Sequence, residues 1–397
     1  MVEKDRIENP CFHEFPSLGG RFLFTSPHRS LLTDGCFRRL PQPLAGYQAS
    51  DGFPPEIADA LHQARASGIG HPVVVGAIPF DPQQPAELFI PQHTRYIERT
   101  QLVAVAENSN TAKGPTAAAS RLIPAQPEFM AMVSEAVAAM ERGEAEKVVL
   151  SRLREIDCTE TVDSDVLMSQ LVRQNPHNYH FHVPLSSGAV LAGASPELLI
   201  SKHGRQFSSC PLAGSAGRHP NPLQDKETGQ QLLHSEKDRR EHQLVTDAMR
   251  QTLQPISDSL SVPSTPRLAS TASLWHLATD IEGTLKSPQQ TALSLALLLH
   301  PTPALSGFPH QQALALIHSL EPFNRGMFGG IVGWCDDQGN GEWVVTIRCA
   351  TVQAQRLTLF AGAGIIPASD PLSEWHETGI KLSTMLRAVG CNQEITQ

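Results

Sequence analysis

The sequence predicts an α+β fold built on a large, mostly antiparallel sheet. Two turn clusters are the first reason. Ser186-Ser187-Gly188 and the stretch DDQGNG (336–341) each separate two apolar runs and mark hairpins. Such hairpins outnumber strand–helix–strand crossovers, which argues against a doubly wound parallel sheet. No repeat of roughly 20–50 residues is present, so solenoids and propellers fall away.

From the N-terminus, 21–26 and 72–80 are short apolar runs bounded by Gly and Pro and read as strands, with a helix over 54–67 between them. The stretch 107–127 is rich in Ala, Ser, Thr, Asn, Gly and Pro and has no apolar periodicity. It reads as a surface linker or long loop, and as the best boundary in the chain. Phe129, Met132, Val133, Ala136, Val137 and Met140 then recur at helical spacing, with Gly143 placed to end the helix. A strand follows over 147–156 and a helix over 164–174. The runs 179–185 and 189–194 form the first hairpin, and one long helix is expected over 227–253. The second hairpin pairs 327–335 with 342–351. A strand covers 357–361, and a last helix runs over 371–389 with Pro371 in its first turn.

With 397 residues, 40% hydrophobic and 18% charged, and a mean hydropathy of −0.20, the composition is globular. Lys and Arg number 31 against 40 Asp and Glu, a net charge of −9. No whole-chain electrostatic hold on nucleic acid or an anionic membrane is therefore expected. No apolar run approaches the roughly 18 residues that a membrane span needs. The opening MVEKDRIENP is charged and lacks the apolar core of a secretory signal. Cys11, Cys36, Cys158, Cys210, Cys335, Cys349 and Cys391 are scattered without a C-x-x-C, which fits a reducing cytoplasm rather than a disulfide framework or zinc ribbon.

Two acidic pairs stand at i, i+3: Asp238 with Glu241, and Glu374 with Glu377. Each pair shares a helical face, and the two together would form an oxygen-rich cage suited to Mg²⁺. Lys237 lies four before Glu241 and Lys381 four after Glu377, so spacing alone leaves surface ion pairs open as the plainer reading. Within 342–351, Trp343, Val345, Ile347 and Cys349 share one strand face, and Val344, Thr346 and Arg348 the other. A charge that deep in a strand needs a partner: an anionic carboxylate bound bidentately, or water at a sheet edge. Lys147 is a candidate general base if burial or a positive neighbour lowers its pKa, and otherwise a solvated lysine. Glu197, after Ser195-Pro196 at a strand exit, is a candidate general acid if desolvated, and otherwise a loop carboxylate. The glycine-rich run FAGAGI (360–365) is not G-x-G-x-x-G; it reads as a turn or as close backbone approach to a ligand. His180 and His182 share a strand face, yet nothing completes a zinc set with them and His177.

Ten ordered strings go further: KVVLSR (147–152), GASPE (193–197), PLAGSA (211–216), SEKDRREH (235–242), LWHLA (274–278), HPTPALSG (300–307), FGGIVGW (328–334), TIR (346–348), FAGAG (360–364) and EWHETGIK (374–381). Together they resemble the chorismate-binding enzymes, the family of isochorismate, salicylate, anthranilate and aminodeoxychorismate synthases. FTSPHRS (24–30) and VGAIPFDP (75–82) are similar to the isochorismate-forming members of enterobactin-type siderophore synthesis and extend the resemblance over nearly the whole chain.

The resemblance implies two large antiparallel sheets packed face to face with helices outside, as in anthranilate synthase component I. It implies one chorismate-binding domain over 1–397: an N-terminal subdomain at 1–106, the loop at 107–127 and the motif-bearing catalytic portion at 128–390. Glu241 and Glu377 would hold Mg²⁺, with Asp238 and Glu374 behind them or bound through water. Arg348, with Lys381 and backbone amides near Gly214 and Gly362, would clamp the pyruvyl carboxylate. Ser215, Ala304 and Leu305 would line the substrate site, and His276 would lie beside the ring substituents. Lys147 would be the base and Glu197 the acid, on opposite ring faces, for addition of water at C2 and loss of the C4 hydroxyl.

Ala213 stands where family members with a covalent mechanism carry a lysine nucleophile, so water is expected to attack, and no glutaminase subunit is expected. Ala304 and Phe328 are apolar where salicylate-forming members carry hydroxylated residues, which favours stopping at isochorismate. The expectation is a monomeric, cytoplasmic, Mg²⁺-dependent isochorismate-forming enzyme of siderophore synthesis. A salicylate-forming or menaquinone-pathway enzyme is the alternative. A non-catalytic chorismate-binding protein is disfavoured by the acid–base pair.

Overall fold

The hairpin-rich sequence sends its strands into two large sheets and one small one. The computed structural model describes residues 14–47, 52–109 and 114–390, and among these the sheets have ten, nine and three strands. The long strand Lys147–Cys158 organises the ten-stranded sheet. One of its edges pairs without a break to Arg356–Ile365, from Asp157 opposite Arg356 to Val148 opposite Ile365. The other edge is shared by Gly307–Phe308 near Lys147 and by Ala117–Ile123 at the far end. Beyond Arg356–Ile365 lie Cys349–Gln353, Val190–Ser195, Tyr179–Pro184, Leu23–Phe24, Ser30–Asp34 and His93–Ile97. The nine-stranded sheet is centred on Leu198–His203, Gly341–Val345, Ile331–Asp336 and Val73–Ile78. The first hundred residues thus supply strands to both large sheets.

The faces of those two sheets meet over an aromatic core. Phe22, Phe24 and Phe181 come from one sheet, and Val75, Phe89 and Trp334 from the other. Phe22 meets Phe89 edge-on at 6.4 Å between centroids, the geometry that opposes ring edge to ring face. Burying each such side chain contributes about 1.5–3 kcal/mol. The outer face of the ten-stranded sheet is covered by the helices Ser164–Gln174 and Pro371–Val389. Strand alternation decides what each face does. In Arg356–Ile365, Leu357, Leu359, Ala361, Ala363 and Ile365 are buried on one side, which leaves Phe360, Gly362 and Gly364 on the other.

The last helix begins and ends where its sequence signals place it. Asp370 accepts a hydrogen bond from the Ser373 N–H (2.8 Å), Pro371 opens the first turn, and Gly390 terminates at φ 85°. Four expectations change. Part of the 107–127 stretch is a strand, Ala117–Ile123, which pairs along the outer half of Lys147–Cys158; cross-strand pairing, which periodicity cannot show, orders it. The long helix over 227–253 is two, Pro222–His234 and Glu236–Leu253, because Ser235 is extended and its Oγ caps the Asp238 N–H. The strand over 342–351 breaks into Gly341–Val345 and Cys349–Gln353, so the face alternation drawn through Arg348 does not hold. The glycine run is no turn: Gly362 and Gly364 lie inside a continuous strand.

Candidate active site

Two neighbouring crossings between the large sheets build one wall. After Val190–Ser195 the chain leaves the ten-stranded sheet through Pro196-Glu197 and enters the nine-stranded sheet as Leu198–His203. After Gly341–Val345 it returns through Thr346-Ile347-Arg348 to Cys349–Gln353. The crossings are bonded together. The Val345 N–H donates to the Glu197 carbonyl (3.1 Å), and the Ala194 N–H donates to the Arg348 carbonyl (3.0 Å). Arg348 turns with φ 51°, a left-handed conformation that costs a non-glycine residue on the order of 1 kcal/mol or more.

The facing wall comes from two helices and the glycine strand. Glu236–Leu253 carries Asp238 and Glu241, and Pro371–Val389 carries Glu374, Glu377 and Lys381. A Cβ on Gly364 would overlap Glu241 Oε1 and crowd Lys147 Cε, so any larger residue there must displace the Glu241 carboxylate. The small sheet closes a third side, setting Ser215 opposite His276. Gly214 turns there with φ 79°, and a Cβ on it would stand 3.0 Å from Asp238 Cβ.

One cavity collects these pieces. Glu197, Gly214, Ser215, Glu241, His276, Ala304, Leu305, Arg348, Gly362, Glu377 and Lys381 all line it. Lys147 reaches it through Glu241, its Nζ lying 3.0 Å from Glu241 Oε1. Asp238 and Glu374 stand behind the lining. Wider hollows, one beside Val162 and Arg387 and another beside Lys202 and Glu342, lie away from these residues.

Burial strips water from Lys147, Glu197, His276 and Arg348, with unequal results. Lys147 is fully buried, and its contact with Glu241 is an ion pair without aligned hydrogen-bond geometry. Glu197 is 3% exposed and accepts one hydrogen bond, from the Leu212 N–H at 3.3 Å. Burial pushes its pKa up to about 7, against the opposing pull of that N–H and of Lys147, Arg348 and Lys381. Burial lowers Arg348 to about 10, while Glu377 and Glu197 hold it up. Among the described residues its guanidinium has no hydrogen-bonded partner. Burial, with Arg348 and Lys381 nearby, keeps His276 neutral, its pKa well below the ordinary value. Among the described residues His276 Nε2 has no hydrogen-bond partner.

Three of the four acids are held by cations and the fourth by a hydroxyl. Lys147 meets Glu241, Lys237 reaches across to Glu374 (2.8 Å), and Lys381 pairs with Glu377 (2.6 Å) while donating to the Gly362 carbonyl (2.8 Å). Asp238 bonds Ser235 Oγ at 2.5 Å. Burial opposes ionisation of Glu377, but Lys381, Ser215 and Lys237 outweigh it and hold the pKa below the ordinary range. Burial and Glu377 together raise Glu374, and burial raises Asp238 with help from Glu241. Among the described residues no three acids, histidines or cysteines stand together as a ready ligand cage. The donors are nonetheless all oxygen, lie on two facing helices and feel one another's charge, which fits a hard cation such as Mg²⁺.

The structure thus gathers in or behind one cavity the acid, base, carboxylate-binding and metal-ligand candidates named from sequence, and it removes their plainer alternatives. Lys147 is not solvated, Glu197 is not on an open loop, and Arg348 does not face water. The Lys237 partner is Glu374, not Glu241. Val149, Pro196, Leu212, Ile347 and Gly364 also line the cavity and had no signal beyond their place inside the recognised strings. His180 Nδ1 bonds Thr25 Oγ1, and His182 bonds the Arg21 carbonyl and Ser164 Oγ, both away from the cavity.

The arrangement is shared with known proteins. Residues 63–390 match the family model described as chorismate binding enzyme. The chain is 53% identical to isochorismate synthase EntC of Escherichia coli K12 over 371 residues, 93% of this chain and 95% of that one. It is 41% identical to isochorismate synthase DhbC of Bacillus subtilis over 396 residues, 98% of each. The crystal structure described as a putative 2,3-dihydroxybenzoate-specific isochorismate synthase, DhbC, of Bacillus anthracis superposes with a TM-score of 0.87 at 36% identity, covering 95% of this chain and 98% of that one. A match over most of the chain, on the strands and helices that build the cavity, places this protein in the chorismate-binding enzyme family.

Proposed function

We propose that the protein is an isochorismate synthase of 2,3-dihydroxybenzoate siderophore synthesis, moving the ring hydroxyl of chorismate from C4 to C2. The observation that carries this reading is the pairing, within one cavity, of a buried carboxyl poised near neutrality with a buried lysine. Hydroxide leaves poorly and water attacks poorly, so the exchange needs a proton delivered and a proton removed. Glu197, protonated below about pH 7, gives its proton to the departing C4 hydroxyl. Lys147, buried beside the cavity, is the group placed to take a proton from the water that adds at C2. The ring double bonds shift between the two events, and the atoms balance: one water enters and one leaves.

The remaining residues bind and orient. Arg348 offers an unpartnered guanidinium for bidentate contact with a carboxylate, and Lys381 adds a second cation. His276, neutral, faces the ring substituents as a hydrogen-bonding group. Glu241 and Glu377 would hold Mg²⁺, with Asp238 and Glu374 behind them. Bound there, the ion supplies a Lewis-acidic anchor for a substrate carboxylate. Ala213 puts no nucleophile against the ring, so water is the attacking group and a glutaminase subunit has no role. Cys36, Cys210, Cys335 and Cys349, which form no disulfide among the described residues, suit a reducing compartment such as the cytoplasm. Ala304 and Phe328 favour release of isochorismate over elimination of pyruvate.

Incubating the protein with chorismate and Mg²⁺ and separating the products by chromatography tests the reading. Isochorismate without pyruvate is expected. Salicylate with pyruvate would replace it with the salicylate-forming reaction, and binding without turnover would sink it.

A further inference from the structure

A buried ion pair outside the cavity reaches three of its walls. Arg325 and Glu321 are both almost fully buried, and the guanidinium meets the carboxylate side-on, Nε to Oε2 at 2.8 Å and Nη2 to Oε1 at 2.5 Å. Neither residue lines the cavity. Their remaining bonds go to the backbone of residues that line it, Leu305, Val149 and Phe328, and to that of Ser151 beside them. Arg325 Nη1 donates to the Leu305 carbonyl (2.8 Å), and Nη2 donates to the Val149 carbonyl (2.7 Å). Glu321 Oε1 accepts from the Ser151 N–H (2.7 Å). The Arg325 carbonyl accepts from the Phe328 N–H (3.0 Å).

Sheet topology gives the reason. The outer edge of Lys147–Cys158 is paired to Gly307–Phe308 at Lys147 and Val148, and to Ala117–Ile123 from Leu153 onward. Between them the edge has no strand partner. The ion pair and the Ser306 carbonyl, which accepts from the Val149 N–H at 3.0 Å, fill that gap. A buried ion pair is a costly way to fill it, since apolar side chains of similar volume are often as stabilising. What the charged fork adds is fixed direction: one planar group ties the Leu305 loop, the Val149 strand and the Phe328 turn.

We propose that Arg325, held by Glu321, is a positioning residue that sets the apolar wall of the cavity formed by Ala304, Leu305 and Phe328. This rests on the isochorismate synthase reading, because that wall is where pyruvate elimination is held off. Misplacing such a wall by an ångström is enough to cost on the order of 10²-fold in rate.

The test compares Arg325→Lys and Glu321→Gln with the wild type. Lysine keeps the charge but cannot bridge two carbonyls and a carboxylate at once. Glutamine keeps the shape but weakens the grip on Arg325. The expected order of catalytic efficiency is wild type, then Glu321→Gln, then Arg325→Lys. For Arg325→Lys the chorismate KM rises about tenfold, and pyruvate appears beside isochorismate. The calorimetric Mg²⁺ affinity stays at the wild-type value, because the carboxylates lie on the other wall. Wild-type KM and product ratio in folded Arg325→Lys would overturn the proposal, as would losses that follow melting temperature alone with no pyruvate. If Arg325→Lys does not fold, Glu321→Gln decides on the same two readouts. Failure of the underlying reading is seen separately, in a wild-type protein that forms no isochorismate; calorimetric chorismate binding, weaker in the variants or unchanged, then decides the positioning role.

Discussion

Lys147 and Glu197 are equally starved of water, and the fold treats them in opposite ways. Lys147 is met at 3.0 Å by a carboxylate that itself borders the cavity. Glu197 has one long backbone hydrogen bond and only distant cations, so its charge goes largely uncompensated and its pKa climbs to about 7. Burial therefore sets Lys147 against a carboxylate on one side and leaves Glu197 a carboxyl with a raised pKa on the other. Splitting two titratable groups by environment is how one pocket acquires both an acid and a base.

Removing either group is the bluntest way to break that contrast. Lys147→Ala and Glu197→Gln should each lower kcat by about 10²–10⁴-fold while circular dichroism stays native. The double variant should lose little more than the worse single one, since groups that act as a unit are not additive. Initial rates of isochorismate formation check this. A multiplicative loss would mean the two groups contribute independently instead of as one unit.

A subtler break strikes only the lysine side. Gly364→Ala places a methyl group where Glu241 Oε1 stands and beside Lys147 Cε. The backbone there is ordinary strand, so the effect is displacement of the pair rather than backbone strain. Activity should fall about 10²-fold, the scale of an ångström's misplacement, with weaker Mg²⁺ binding by calorimetry. The alkaline limb set by Glu197 should keep its midpoint. A shifted midpoint would mean that the two walls are not independent.

The carboxyl side is read by pH. Glu197 acts as an acid only while protonated, and its pKa is raised, so kcat/KM should fall as pH rises through about 7, by about tenfold per unit. Stability has the same sign. The folded protein holds that proton more tightly than the unfolded chain does, so this contribution is complete below the ordinary carboxylate pKa and is lost as pH climbs through about 7. Glu197→Gln should flatten that slope in a urea titration series. An alkaline limb that persists unchanged in a slow but active Glu197→Gln would assign it to another group.

How much of this was legible follows from where each signal lives. The last helix was readable because Pro371 marks its first turn locally, while the Asp370 cap and the Gly390 stop were seen only in the structure. The i, i+3 acids were readable as pairs, because that spacing is a property of one helix. Arg348 was misplaced on a continuous strand, because its crossing between sheets depends on a left-handed φ that Arg gives no hint of. Ala117–Ile123 was invisible for a related reason: its burial pattern has no alternation, and only its partner strand orders it. The burial of Lys147 and Glu197, which decides their chemistry, is a product of three sheets meeting, and no window of sequence contains it.

The smallest expected effect lies on the wall that neither group touches. Ala304 and Phe328 bring no hydroxyl to the cavity beside Glu197. Ala304→Thr adds one hydroxyl and about one methyl's volume there, a change the loop can absorb for about 1 kcal/mol. kcat for isochorismate should move less than about threefold, since neither proton-transfer group shifts. The hydroxyl supplies a hydrogen bond that an apolar wall withholds, so a minor fraction of turnovers should go on to release pyruvate. Coupling the reaction to a pyruvate assay measures this directly. Pyruvate from Ala304→Thr, with a Glu197 limb still near pH 7, would show that product choice belongs to the wall and proton transfer to the pair. A shifted limb without pyruvate would instead tie the wall to the acid, and the contrast between Lys147 and Glu197 would no longer be set by burial alone.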